Sequence, residues 1–434
     1  MGKTIYAGMC ADILHQGHIN IISKASQYGE VIIGLFTDKA IASYKRVPFL
    51  SYEQRKAVLQ NIKGVKEVIP QDTLDYDFNL KQLKPDYVIH GDDWKTGKLK
   101  SVRENVINTI KEWGGELIEV PYTEGISSTL LTNNIKPVSK PSDQRIKSLQ
   151  HLLELKPCIR IMEVHSPLSG IIVENTRVKV QGIMHDYDGM WSSSLTNSAI
   201  LGKPDIEVIS ISERLNLIRS IFDVTTKPLI FDCDTGGRPE HFQFSIRSLI
   251  SIGVSGVIIE DKIGFKRNSL LEQNDNQIQD TVAGFSHKIN LGKQAARSDY
   301  FMLIARIESL ILNKGIKDAL IRANEYINAG ADGIMIHSRM KEKSEIADFC
   351  KEYDKFKHKV PLVCAPTTFN TVHESELSAM GVNIIIYANQ LLRASYPAMQ
   401  KVAEQILIHG RSQESEYKLI PVDKLQEAMP FSTF

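Results

Sequence analysis

The chain has little cysteine, no long apolar run and almost no net charge, and each shortage excludes a class of function. Cys10, Cys158, Cys233, Cys350 and Cys364 are odd in number, scattered, and form no CxxC pair. That spacing suggests neither a disulfide framework nor a zinc site, and the thiols are expected to be mostly buried. No stretch approaches the roughly 18 apolar residues needed to span a bilayer, so no membrane partner is expected. Lys plus Arg is 52 against 51 for Asp plus Glu, a formal net charge of +1. Nothing global draws such a chain to nucleic acid or an anionic surface, so any phosphate site must be local. The start, Met1-Gly2-Lys3-Thr4-Ile5-Tyr6, enters an apolar strand without the charged-then-apolar layout of a secretory signal, which makes the cytoplasm the expected location.

What is present is enough chain for two cores: 434 residues, 42% of them hydrophobic. From Thr4 to about Leu131, apolar runs at Thr4–Ala7, Val31–Phe36, Tyr87–Ile89 and Leu117–Val120 alternate with amphipathic stretches. This pattern predicts an α/β domain, a doubly wound parallel sheet over residues 1–131. Residues 132–148 carry Pro137, Pro141 and many polar side chains and read as a linker. Beyond them, over 149–434, eight strand-like runs recur: Cys158–Val164, Gly189–Trp191, Pro228–Asp232, Val257–Glu260, Phe301–Arg306, Gly333–His337, Pro361–Ala365 and Asn383–Tyr387. Each interval has room for a helix, which predicts an eight-stranded α/β barrel. The widest interval holds the polar patch Gln273–Gln277, read as a surface excursion.

In the first domain, His15-Gln16-Gly17-His18 follows the first strand and opens a helix. Free backbone amides and the helix dipole attract anions there, and two histidines three apart can flank one phosphate. Two capping or surface histidines would give the same tetrapeptide. Ser127-Ser128-Thr129 after Gly125 can cap a helix and bind a triphosphate, or be a plain N-cap.

Residues 1–131 resemble the HxGH nucleotidyltransferases, a Rossmann-like family, and within it the glycerol-3-phosphate cytidylyltransferase branch. The matching pieces are Asp12 with His15 and His18, Ser51–Arg55, His90-Gly91-Asp92-Asp93-Trp94, and Glu124–Thr129. The resemblance implies in-line attack by a phosphate or phosphonate oxygen on the α-phosphorus of CTP, with pyrophosphate leaving. His15 and His18 would stabilise the crowded phosphorus, while Lys45, Arg46 and magnesium offset charge. Arg55, Asp92, Ser127, Ser128 and Thr129 are the further nucleotide-binding residues implied. The chain departs from the pattern at Tyr122 and Lys63, where family members usually carry Arg. A change from Arg to Lys keeps charge but loses bidentate geometry.

In the barrel region, Asp232-Cys233-Asp234 ends the third strand and Glu260 the fourth. Three acids on neighbouring strand ends form an oxygen-rich set suited to magnesium, although an isolated DxD is as readily a turn or a helix cap. Arg306 and His337 end apolar runs and would be costly if buried without partners; a structural salt bridge and a satisfied core histidine are their plainer readings. After Glu260 runs Asp261-Lys262-Ile263-Gly264-Phe265-Lys266-Arg267-Asn268-Ser269, a basic, amide-bearing loop with the look of a gate.

That stretch resembles the EDK-five-residues-NS signature of phosphoenolpyruvate mutases in the isocitrate lyase superfamily, and the likeness covers about residues 158–400. It implies Mg2+ on Asp232, Asp234 and Glu260, and a pyruvyl group held around Trp191, Ser193, Ser194 and Leu195. Asp205 would lie beside the transferring group, and Lys266, Asn268, Ser269, Arg306 and His337 around the phosphoryl group. The phosphorus–oxygen bond of phosphoenolpyruvate would break and the phosphoryl group pass to the methylene carbon, giving phosphonopyruvate. Isocitrate lyases carry a catalytic Cys where this chain has Asn268. After the DxD, relatives commonly have Tyr-Gly where this chain runs Gly236-Gly237-Arg238-Pro239. The order of the two parts resembles bifunctional enzymes of fosfomycin-type phosphonate biosynthesis, whose N-terminal half cytidylylates 2-hydroxyethylphosphonate. A homo-oligomer, dimer or tetramer, is implied as well. Rival readings keep the folds: a phosphonopyruvate hydrolase or lyase barrel, a glycerol-phosphate or aminoethylphosphonate cytidylyltransferase, or a non-catalytic nucleotide-sensing N-terminal module.

Overall fold

The computed structural model describes residues 2–95, 99–121, 123, 139–180, 183–269 and 277–430. Two compact units divide the chain: residues 1–136 with 177–186, and residues 137–176 with 187–434.

The first unit is built on β1 (Thr4–Met9), β2 (Glu30–Phe36), β3 (Val65–Gln71), β4 (Tyr87–Gly91) and β5 (Glu116–Val120). They pair in parallel in the order β3-β2-β1-β4-β5. Successive side chains of β1 and β2 feed opposite faces: Ile5, Ala7, Ile33 and Leu35 join one core cluster, Tyr6, Ile32 and Phe36 the other. Burial on both faces is why these strands read as unbroken apolar runs. The strand order reverses between β1 and β4, so a crevice opens at their carboxyl ends, the general ligand position of such sheets. Strand β3 was not among the expected strands. Its Lys66, Glu67 and Pro70 interrupt the apolar pattern, as befits an edge strand.

The second unit opens its strands with β6 (Ile159–Glu163); the hairpin β7 (Arg177–Val180) and β8 (Ile183–Asp186) that follows in the chain belongs to the first unit. Then come β9 (Gly189–Ser192), β10 (Leu229–Asp232), β11 (Gly256–Glu260) and the short antiparallel pair β12 (Lys262–Ile263) and β13 (Ile278–Gln279). The series ends with β14 (Met302–Ile307), β15 (Gly333–Ile336), β16 (Leu362–Cys364) and β17 (Val382–Tyr387). The eight expected strands, β6, β9, β10, β11, β14, β15, β16 and β17, close into a parallel barrel. Ile159, Ile161, Trp191, Ile230, Ile258, Ile304, Val363 and Ile384 fill its interior, so it is a packed core and not a pore. Alternate strand residues, such as Phe231, Val257 and Leu303, pack outward against the helices.

A helix at Ser142–Leu155 begins inside the stretch read as linker. Pro141 stands just before it with φ −52°, where a missing amide costs nothing, and Ile146 and Leu149 are buried.

Candidate active sites

At the carboxyl end of the barrel, neighbouring strands deliver Asp232, Glu260, Arg306 and His337 to one pocket of ≈ 600 Å³. Asp232 ends β10, and the chain turns through Asp234 at φ 54° and Gly236 at φ 75°. Aspartate tolerates this left-handed conformation better than bulky residues, and it lets the Asp234 amide donate to Asp232 Oδ1 at 3.2 Å. Ser194 donates its backbone N–H (3.2 Å) and its hydroxyl (3.0 Å) to Asp232 Oδ2.

The loop after β11 closes this pocket with described residues of its own. Lys266 Nζ donates to Asp205 Oδ1 at 2.7 Å and Ser194 Oγ at 2.5 Å, and bonds Asp234. Asn268 Nδ2 donates to the other oxygen of Asp205 at 3.0 Å. Ser269 Oγ donates to Glu308 at 2.7 Å and accepts from Lys262 Nζ (2.8 Å) and Arg306 Nη2 (2.9 Å). Arg306 is further fixed by Glu308, Nε to Oε1 at 2.6 Å.

These groups are buried, so their charges are coupled to desolvation. Burial lifts Glu260 to about 7 and Asp234 to about 6, against the pull of nearby cations. Burial also opposes the charge on Glu308, but Arg306 and Lys262 outweigh it and hold the carboxyl at about 2. His337 is pushed down to about 3, chiefly by burial and then by Arg306. Its imidazole is neutral at physiological pH, and its buried Nδ1 has no hydrogen-bond partner.

The acids expected to share magnesium are gathered, yet among the described residues they do not close into a ready-made group of three ligands. Lys266 reaches in among them, because clustered buried carboxylates draw the nearest cation. The donor set still fits Mg2+: all ligand atoms are hard oxygens, and the buried Glu260 Oε1 makes no hydrogen bond, with only an ion-pair approach of 3.2 Å from Lys262.

In the first unit, His15 is the N-cap of the helix Gln16–Ala25. Its Nδ1 accepts from the Gly17 amide at 3.1 Å, and the His15 amide donates to His18 Nδ1 at 3.3 Å. Backbone amides can only donate, so both rings carry the proton on Nε2 and offer an Nε2–H. Burial lowers both: His15 falls below its ordinary value and His18 reaches about 4. The rings lie 4.0 Å apart in a cleft of ≈ 1310 Å³ whose walls include Phe36, Tyr44, Tyr76 and Trp94, with Lys45 at its side. Gly8 forms part of the floor, where a Cβ would lie 2.3 Å from the Tyr76 hydroxyl. His90 stacks on Trp94 at 3.9 Å and 10°.

A family model described as phosphoenolpyruvate phosphomutase matches residues 149–407. The chain belongs to that family. A second model, cytidylyltransferase-like, matches residues 6–134. Over 278 residues the chain is 35% identical to the phosphoenolpyruvate phosphomutase of Tetrahymena pyriformis, covering 64% of this chain and 88% of that protein. The first unit is 33% identical over 132 residues to the glycerol-3-phosphate cytidylyltransferase of Bacillus subtilis, covering 29% of this chain and 90% of the relative. Among solved structures, a phosphoenolpyruvate phosphomutase from Streptomyces platensis subsp. rosaceus superposes with TM-score 0.60 at 32% identity, covering 65% of this chain and 94% of that one. A phosphonopyruvate hydrolase complexed with oxalate and Mg++ gives 0.57 at 30%, covering 67% and 95%.

Within this phosphomutase-family barrel, the pocket is lined by Trp191, Ser193, Ser194, Leu195, Asp205, Asp232, Glu260, Lys266, Asn268, Ser269, Arg306 and His337. Asp234 stands behind the wall, between Lys266 and Arg214. Three residues that organise it had no role in the sequence reading, although one of them, Lys262, was quoted in it. Glu308 lies two positions past Arg306, Lys262 sits in the EDK stretch itself, and Arg214 holds Asn197 at 3.0 Å from a distant helix. A charge beside an expected ligand could have flagged the first two; nothing local flags Arg214.

The cytidylyltransferase-like cleft gathers His15, His18 and Lys45, but not every expected nucleotide ligand lines it. Asp12 is buried and accepts from Arg46 (2.7 Å) and from the Phe49 and Leu50 amides (2.7 and 3.2 Å). Arg55 is buried too, and its guanidinium donates to Leu50 O, Cys10 O and Asp38 at 3.1, 2.6 and 2.6 Å. In these positions Asp12, Arg46 and Arg55 brace the loop that presents Lys45. Asp92 opens a short 3₁₀ turn at the end of β4, outside the cleft lining. Ser127, Ser128, Thr129 and Tyr122 lie outside the described residues.

Proposed function

We propose that the barrel interconverts phosphoenolpyruvate and phosphonopyruvate, and that the first unit transfers CMP from CTP to a small phosphonate, 2-hydroxyethylphosphonate being the acceptor of choice. The observation that carries the first half is the carboxamide of Asn268 on Asp205, beside Ser269 and Arg306. A carboxamide and a hydroxyl can orient phosphoryl oxygens without attacking phosphorus, and a loose phosphoryl transfer asks for positioning and charge stabilisation more than for a nucleophile. Arg306 neutralises phosphoryl charge. Neutral His337 donates or accepts a hydrogen bond without adding to it.

Asp232, Asp234 and Glu260 would hold Mg2+, which when bound offsets the negative charge developing on the pyruvyl oxygens. The backbone and hydroxyls of Ser193 and Ser194 orient the pyruvyl end, and Trp191 limits its room. Lys266, Asn268 and Ser269 cover the substrate and keep water from the phosphoryl group, which would otherwise be lost as phosphate. The bond from phosphorus to the enol oxygen breaks as the bond to the methylene carbon forms, so the reaction is an isomerisation with no co-reactant.

In the first unit an acceptor phosphonate oxygen attacks the α-phosphorus of CTP in line, pyrophosphate leaves, and the Nε2–H groups of His15 and His18 bind the charge that accumulates on the phosphorus oxygens. The helix N-terminus at Gln16 and the Lys45 ammonium add to this field. A soluble, cytoplasmic homo-oligomer is the form expected.

The test is phosphorus NMR of the full chain. With phosphonopyruvate and Mg2+, a phosphoenolpyruvate signal is expected; pyruvate and inorganic phosphate alone would replace this reading with a hydrolase. With CTP, the acceptors 2-hydroxyethylphosphonate, 2-aminoethylphosphonate and glycerol 3-phosphate are compared. CTP binding without turnover on any of them would make the first unit a sensor.

A further inference from the structure

Lys266 is a cation tethered at the barrel mouth, and its partners are the carboxylates assigned above to magnesium. Its ammonium is hydrogen-bonded to Asp205 and Asp234, and it reaches Asp232 through Ser194, whose hydroxyl accepts from Lys266 and donates to Asp232. The other oxygen of Asp234 faces Arg214 at 3.4 Å, so both oxygens of that carboxylate are engaged by cations. The lysine itself is only 8% exposed, held in place and not sampling solvent.

A divalent ion needs close approach to the same oxygens, and an ammonium and a divalent ion on one carboxylate repel each other. We propose that Lys266 and the divalent cation are alternative partners of Asp234 and its neighbours. Metal affinity and the placement of the loop segment Lys262–Ser269 are then linked: the lysine lowers the affinity, and the metal loosens the lysine's hold, by the same factor. This rests on reading Asp232, Asp234 and Glu260 as the magnesium acids. It makes Lys266 a positioning residue that couples loop to metal, in addition to covering the substrate.

The experiment titrates the full chain with Mn2+, followed by electron paramagnetic resonance without substrate, for wild type, Lys266→Met, Lys266→Arg and Asp232→Ala. Lys266→Met is expected to bind Mn2+ at least about tenfold more tightly than wild type, with Lys266→Arg within about threefold of it. Asp232→Ala should bind weakly. Lys266→Gln takes the place of the Met variant should that one not fold. Thermal unfolding adds a second readout: the Met variant should melt lower than wild type without Mn2+, as loss of any buried ion pair would cause, and gain more from its addition, which a mere structural ion pair would not. Equal or weaker Mn2+ binding by both neutral variants, or a melting deficit that Mn2+ leaves in place, overturns the proposal. Failure of wild type and variants alike to bind Mn2+ would overturn the metal reading and this inference together.

Discussion

The two candidate sites are built by opposite means. The barrel pocket is crowded with buried charge, in which Asp205, Glu260 and Glu308 are met by Lys262, Lys266 and Arg306. The cleft of the first unit is wide, walled with aromatics, and presents two imidazoles at a helix end. A small polyanionic substrate that must be shielded from water suits the first, because ion pairs among buried, poorly solvated side chains are strong and fixed. A nucleotide with its own counter-ion suits the second, where uncharged donors add specificity without fighting for the metal.

The comparison breaks most visibly if the charges of the barrel are removed. Asp232→Ala, or excess chelator, should lower mutase turnover by at least about 10³-fold, the several kcal/mol a Lewis acid supplies, with cytidylyl transfer by Asp232→Ala unchanged. Full mutase activity in chelator would deny the barrel its metal. In the cleft, His18→Ala should cost cytidylyl transfer about 10²- to 10⁴-fold and leave the mutase near wild type, read by phosphorus NMR on one protein sample. A parallel loss of both activities in folded protein would mean the two sites are not independent.

A smaller effect is expected from Asn268→Ala, which removes one hydrogen bond to a charged phosphoryl group. The loss should be about 1.5–3 kcal/mol, or about 10- to 150-fold in rate, accompanied by some phosphate release as water enters. Unchanged rate and no phosphate would return Asn268 to the role of a mere partner of Asp205.

An effect on stability instead of rate sharpens the contrast through pH. His18 titrates at about 4 in the folded chain, below the ordinary 6.5. Between those values the unfolded chain binds the proton and the folded one does not, so stability is complete above pH 6.5 and falls as pH drops toward 4. The full shift is worth about 3 kcal/mol. Urea unfolding of the first unit from pH 8 to 4 should show this slope, and His18→Gln should flatten it.

The sequence made the architecture legible because it is written in apolar runs: buried parallel strands announce themselves, and all eight barrel strands lie where the runs lie. What hid were elements whose apolar pattern is interrupted by charge or open to solvent. Strand β3 carries its charges on an edge, and the hairpin Arg177–Asp186 exposes Val178 and Val180. The barrel site was legible through acids and bases at strand ends, whose position alone aims them at one face. Its supports were less so, since Arg214 reaches Asn197 and Asp234 only after the chain has folded. In the first unit the reverse holds for Asp12 and Arg55. Motif membership marked them as ligands, while their hydrogen bonds brace a loop, a distinction that spacing cannot make.

The edge strand β3 has one more consequence. An open sheet, unlike a closed barrel, ends in strands whose free amides and carbonyls can recruit another chain. Pro70, paired in register with Leu35, has no amide to offer, and Lys66 and Glu67 set charge beside it. Charge and proline on a sheet edge are residue types that discourage edge-to-edge pairing. Substituting Pro70 by Val restores an amide N–H to that edge strand and should raise the chain's tendency to self-associate, read by light scattering.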